Sequence, residues 1–149
     1  MRVIFLGTPN FAVPSLEALV ESGIEVAGVV TQPDRPAGRG GIVQPPAVKV
    51  AAQRLGLTNF QPETLRSGAV VAQLRGLAPD AIVVVAYGQI LRRAVLELAP
   101  LGCLNVHASL LPWGRGASPI QAAIREGLAE TGVTVMLMNE RMDAGPILA

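Results

Sequence analysis

Residues Ala81-Ile82-Val83-Val84-Val85-Ala86 form an unbroken apolar run with no charge and three valines. A β-branched run of this kind reads as a strand buried on both faces, at the centre of a parallel sheet. Parallel strands need long crossovers, usually helical, so this one stretch argues for an α/β chain. Val3-Ile4-Phe5-Leu6, ended by Gly7, is a second run of the same type. Leu16, Leu19 and Val20 then share a helical face that stops at Gly23, with Asn10 as cap or Pro14 in the first turn as its start. Glu25 to Thr31 reads as the next strand and completes a β-α-β opening with a right-handed crossover.

The remaining pattern extends the same architecture. Val48, Ala51, Ala52 and Leu55 predict a helix ended by Gly56, and Asn59-Phe60-Gln61 a short strand ended by Pro62. Val70, Val71, Leu74 and Leu77 predict a helix that closes before Pro79. Leu91 to Leu98 reads as a helix ended by Pro100, and Gly102 to His107 as a strand. Ser118 is expected to cap a helix, with Pro119 at its first position and Gln121 closing a capping box. Ile120, Ala123, Ile124 and Leu128 are expected to face inward. Gly132 to Met138 reads as a sixth strand, its methionines core or pocket wall, and Pro146 to Ala149 as the start of another. The expected fold is an open, mostly parallel, doubly wound α/β sheet with helices on both faces.

Composition narrows the function classes. A chain of 149 residues, half of them hydrophobic, is one domain's worth and can bury a sizeable core. The net charge is +1, so any contact with nucleic acid must come from a local basic patch. Lys49 is the only lysine among twelve basic residues. Cys103 is the only cysteine, so no internal disulfide forms, and a small buried residue is the plain reading. No apolar run reaches transmembrane length, and none at the amino end has signal-peptide length. A cytoplasmic protein is expected.

The opening excludes a dinucleotide site. That fingerprint needs three glycines at fixed spacing so that the backbone can approach a pyrophosphate. Here Gly7 is followed by Thr8-Pro9-Asn10-Phe11-Ala12. A helix start at the sheet's carboxyl edge still suits a small substrate or phosphate, which makes Gly7, Thr8 and Asn10 candidate substrate contacts.

Asn105-Val106-His107 holds the only histidine, two residues after an asparagine. On a strand, side chains two apart point to one side. An amide donor beside an imidazole suits attack on a carbonyl carbon: the amide holds the developing oxyanion and the imidazole moves a proton. Asp143 is the candidate third member, to orient the imidazole or stabilise its charge. A single histidine near a strand end is more often a hydrogen-bonded structural residue, so the context decides. Tyr87-Gly88-Gln89 leaves the carboxyl end of the central strand, where open α/β sheets bind ligands. Gln32 to Pro46 carries four prolines and three glycines, which excludes a helix or an inner strand. Arg35 and Arg39 are its only cationic side chains and suit an anionic partner.

Ser109-Leu110-Leu111-Pro112, Arg115-Gly116-Ala117-Ser118-Pro119-Ile120 and Asp143-Ala144-Gly145 follow the Asn-His pair in order, and together they resemble the folate-dependent formyltransferases. The similarity runs from Val3 to Ala149. Pro33 to Gly40 is similar to the loop by which the tRNA-acting branch of that family engages an acceptor stem; the lysines common after it are replaced by Gly41-Ile42-Val43. The resemblance implies transfer of a formyl group from 10-formyltetrahydrofolate to the amino group of methionyl-initiator tRNA. It implies Asn105, His107 and Asp143 as catalytic, and Tyr87, Gly88, Gln89, Ser109, Leu110, Leu111 and Pro112 as folate contacts. Gly7, Thr8, Asn10, Arg35 and Arg39 fall to the acceptor, and no metal is required. Rival acceptors are glycinamide ribonucleotide, an amino-sugar nucleotide or water; a folate-binding remnant without activity is the non-enzymatic alternative. The resemblance further implies that residues 1–149 are a catalytic domain cut short at its carboxyl end, without the family's tRNA-binding barrel. The full-length protein is then expected to be a monomer and the shorter chain to self-associate.

Overall fold

The computed structural model describes residues 1–37 and 41–149. In chain order its elements are β1 (Arg2–Gly7), α1 (Val13–Glu21), β2 (Glu25–Val30), β3 (Arg35–Ala37), β4 (Ile42–Gln44), α2 (Ala47–Arg54), β5 (Asn59–Phe60) and α3 (Gly68–Gly76). There follow β6 (Ala81–Val85), α4 (Arg93–Leu96), β7 (Cys103–His107), α5 (Pro119–Arg125) and β8 (Thr134–Leu137). The six main strands lie in the order β5-β2-β1-β6-β7-β8. All neighbours are parallel except β7 and β8.

The two apolar runs sit side by side at the centre, Val3 opposite Ala81 through to Gly7 opposite Val85. Both are buried on both faces. Their alternate residues feed two cores. Val3, Phe5, Val83 and Val85 pack with Leu16 of α1 and Val48, Ala51 and Ala52 of α2. Ile4, Leu6, Ile82 and Val84 pack with Val71 and Leu74 of α3 and Val95 of α4. Helices therefore cover both faces, as a doubly wound sheet requires.

Of the two expected starts, the first helix takes Pro14 in its first turn, while Asn10 opens a separate short 3-10 turn. Several other elements differ from expectation. Within the 32–46 segment, β3 and β4 pair antiparallel as a two-stranded sheet apart from the main one. The helix expected over Leu91 to Leu98 shrinks to a single turn, because Arg92 is extended and Glu97 has already left helical geometry. Leu91 and Leu98 still reach the core, so their burial does not need the extra turns. The capping box at Ser118 does not form: its backbone, with φ −138° and ψ 53°, lies outside the extended region that lets a cap hydroxyl reach back to the helix. On α5 only Ala123 is buried, whereas Ile120, Ile124 and, just beyond the helix, Leu128 are exposed. An apolar stripe shows which face of a helix is hydrophobic; no described element packs over this one. The sixth main strand is shorter than expected. Residues 146–149 bridge to it antiparallel through Ile147 opposite Met136. No helix of the described residues is long and apolar enough to cross a membrane.

Candidate active site

Strand β7 alternates in burial, so Cys103, Asn105 and His107 share one face. Register places Asn105 between Val84 on one side and Met136 on the other, and His107 opposite Thr134. Asn105 and His107 are both buried. Asn105 is 8% exposed, and its amide makes no hydrogen bond to protein among the described residues. Cys103 is the core residue expected of it: its thiol donates weakly to the Val95 carbonyl at 3.6 Å, and burial pushes its pKa up to about 12.

His107 is held mainly by backbone. Its Nε2 lies 2.8 Å from the Gly114 carbonyl oxygen. Its Nδ1 faces Asp143 Oδ1 at 3.7 Å, which is too long for a direct hydrogen bond. Of the two roles expected of Asp143, this separation fits a nearby charge and not a direct orienting hydrogen bond; the close contact to the ring comes from the Gly114 carbonyl. Asp143 is itself fixed, because the Gly116 N–H donates to its Oδ2 at 2.8 Å. Two glycines make this arrangement possible. Gly114 has φ +71°, and a Cβ there would stand 2.8 Å from Ser109 Cβ. A Cβ on Gly145 would fall 1.7 Å from the Leu137 carbonyl oxygen, so the Asp143 turn can approach β8 only at a residue without a side chain.

The other candidate residues divide between side chains turned outward and side chains tied up in the fold. Ser109 is fully buried, and its hydroxyl donates to the Trp113 carbonyl at 2.7 Å. Leu110 is 53% exposed, Leu111 half-buried and Pro112 exposed, so these three remain open to a ligand. Tyr87 packs its ring into the core, and burial pushes its phenol up to about 12. The Gln89 amide donates to the Glu63 carbonyl at 3.1 Å and accepts from the Leu65 N–H at 3.2 Å. The side chains of Tyr87 and Gln89 are thus engaged within the fold, which leaves the backbone of this segment as what it can offer a ligand. Beside Gly88 lies the Gln32 side chain, whose Nε2 is buried with no partner among the described residues.

Thr8 fastens the strand ends together. Its hydroxyl donates to the Tyr87 carbonyl at 2.8 Å and accepts from the Gln32 N–H at 3.3 Å. Gly7 is buried beneath it and Asn10 is exposed. Just before β3, Asp34 accepts from Lys49 at 2.8 Å and from Gln61 at 2.7 Å. Those two partners hold its carboxyl below the usual range. Arg35 is exposed on β3, and Arg39 lies outside the described residues. Among the described residues no three His, Cys, Asp or Glu side chains converge to hold a metal ion. Gly114 and Thr134 carry no signal in the sequence, since Gly114 acts through its backbone carbonyl and a strand threonine has no pattern of its own.

A protein-family description, Formyl transferase, matches residues 1–149. The chain belongs to the formyl transferase family. It is 60% identical over 149 residues to a methionyl-tRNA formyltransferase of Chloroflexus aggregans, and 61% identical to one of Halorhodospira halophila. These alignments cover 100% and 99% of the chain but 48% and 47% of the relatives. The chain therefore spans about half the length of the curated relatives it matches. Among solved structures, phosphoribosylglycinamide formyltransferase from Bacillus halodurans matches with TM-score 0.78 at 26% identity, covering 100% of this chain and 77% of that one. A formyltetrahydrofolate deformylase from Pseudomonas syringae shares the fold with TM-score 0.75 at 22% identity, over 99% of this chain and 49% of that one.

Proposed function

We propose that this chain carries the chemical centre of an enzyme that formylates the amino group of methionyl-initiator tRNA. The observation that supports the reading is that Asn105 and His107 share one buried face of β7, with the Asp143 carboxylate 3.7 Å from His107 Nδ1. Formyl transfer forms one carbon–nitrogen bond, breaks another, and moves a proton from the incoming to the leaving nitrogen. The Asn105 amide, without a protein partner among the described residues, donates to the formyl oxygen as negative charge builds there. His107 relays the proton through Nδ1, because Nε2 is engaged by Gly114. Asp143, 3.7 Å from that nitrogen, stabilises the imidazolium while the proton is held.

When bound, 10-formyltetrahydrofolate supplies the carbon unit as co-substrate. Features of the carboxyl edge fit such a ring system. Backbone groups of the exposed Gly88 suit its hydrogen-bonding rim. Exposed Leu110 and Ile90 suit its flat apolar faces. The acceptor reading rests on relatives near 60% identity named for methionyl-tRNA and on the arginine-bearing 32–46 segment. Arg35 and Arg39 are assigned to phosphate or acceptor bases. Replacing both by alanine is expected to weaken tRNA binding, to flatten its salt dependence and to leave folate affinity unchanged.

The test is transfer of radiolabelled formyl from 10-formyltetrahydrofolate by the intact protein containing this chain. Methionyl-initiator tRNA, glycinamide ribonucleotide, an amino-sugar nucleotide and water are offered separately. Label on methionyl-tRNA is expected; preferential label on another acceptor overturns the acceptor assignment, and label on none overturns the chemistry.

A further inference from the structure

We propose that Thr134 is a positioning residue that fixes the tautomer of His107, so that the neutral imidazole carries its proton on Nε2 and turns a basic Nδ1 toward Asp143. Thr134 sits directly across the β7–β8 ladder from His107 and is buried. Its hydroxyl donates to the Ser109 carbonyl at 2.7 Å and accepts from the Leu111 N–H at 3.0 Å. Both partners belong to the turn that leaves β7. Within that turn the Ser109 hydroxyl donates to the Trp113 carbonyl at 2.7 Å and lies 3.3 Å from the Gly114 carbonyl oxygen. Gly114 then presents that same oxygen to His107 Nε2 at 2.8 Å.

A carbonyl oxygen only accepts hydrogen bonds, so Nε2 must carry a hydrogen. A neutral imidazole has one N–H, which leaves Nδ1 as the base. Each link runs between a side chain and a loop backbone atom. The chain of contacts therefore sets where the Gly114 carbonyl stands, separately from the pairing of β7 with β8. Valine at position 134 would keep the β-branched shape that suits a strand while removing both hydroxyl contacts. Serine would keep the hydroxyl. The catalytic consequence rests on His107 being the proton carrier proposed above; the tautomer itself does not.

His107 is the only histidine, so one pair of ring nitrogen signals reports on it without ambiguity. The 149-residue chain, labelled with ¹⁵N-histidine, is followed by long-range ring ¹⁵N–¹H correlation from acid to alkaline pH. In the neutral form Nε2 is expected to be pyrrole-like and Nδ1 pyridine-like. An Nδ1–H form, or an averaged mixture, in the unmodified chain overturns the proposal. Thr134→Val is expected to move the signals toward the averaged mixture, and Thr134→Ser to keep the original pattern. Unchanged ring signals in a folded Thr134→Val chain remove Thr134 from the account. If that variant does not fold, Ser109→Ala breaks the next link and is read in the same way. A fixed tautomer alongside near-full activity of His107→Ala would leave this inference standing and overturn the proposed chemistry instead.

Discussion

Helices α1 and α5 both follow a turn, both carry proline in the first turn and both show an apolar stripe, yet their fates differ. Leu16 of α1 is fully buried against the centre of the sheet. Ile124 of α5 is 76% exposed. The same division runs through the molecule. Around β1 and β6 the fold is held by apolar burial on both faces. At the carboxyl end of β7, hydrogen bonds from Thr134, Ser109 and His107 to loop backbone hold the following turn in place. The contrast shows why the candidate site lies at the margin: a polar ligand needs open backbone groups and free amides, which a close-packed centre does not leave.

The strongest way to break this comparison is to truncate each helix's stripe. Leu16→Ala is expected to lose about 2–5 kcal/mol of stability, as for large-to-small changes in a buried site. It is measured by denaturant unfolding of the chain. Next comes Gly145→Ala, where the added methyl collides with the Leu137 carbonyl. Its cost is expected at about 1–3 kcal/mol, with Asp143 displaced, visible as a shift of the His107 ring signals. An unperturbed ring in that variant would separate the 143–145 turn from the site.

Asp34 gives a smaller effect with a definite pH direction. Its carboxyl is held below its ordinary value of 3.8 by Gln61 and Lys49. A group with a depressed folded value stabilises the protein above the unfolded value and loses that contribution as pH falls through the folded one. Asp34→Asn is therefore expected to be slightly less stable than the parent at neutral pH and equal to it in strong acid. The gap should narrow with salt, because the pair is partly exposed. The smallest effect is expected for Ile124→Ser, within about 0.5 kcal/mol, as at an open surface position. A loss comparable to Leu16→Ala would show that the α5 stripe is covered in solution and would erase the contrast.

The same contrast explains what could be read from sequence. Ala81 to Val85 and Val3 to Leu6 announce central parallel strands because continuous β-branched and apolar residues have no other comfortable place. The two-residue spacing of Asn105 and His107 announces a shared face, since strand geometry leaves no choice. Asp143 was nameable as a member of the group, but its distance from the ring was not. The partner that orients His107 is a backbone carbonyl, and every residue has one, so Gly114 left no side-chain signature. Thr134 looked like any strand threonine. The α5 stripe misled because periodicity describes one helix and says nothing of its neighbour. The helix over Leu91 to Leu98 was overlong because its apolar residues reach the core from extended flanks.

The most direct test of the proposed site is the rate of formyl transfer to methionyl-tRNA at saturating 10-formyltetrahydrofolate, in the intact protein containing this chain, for Asn105→Ala and His107→Ala. Loss of an oxyanion donor is expected to raise the barrier for Asn105→Ala by about 3–4 kcal/mol. Loss of the proton relay is expected to slow His107→Ala by roughly a hundredfold or more. Both variants should keep the stability of the parent far better than Leu16→Ala does. Near-normal turnover by either variant would contradict the assignment of this strand end as the chemical centre.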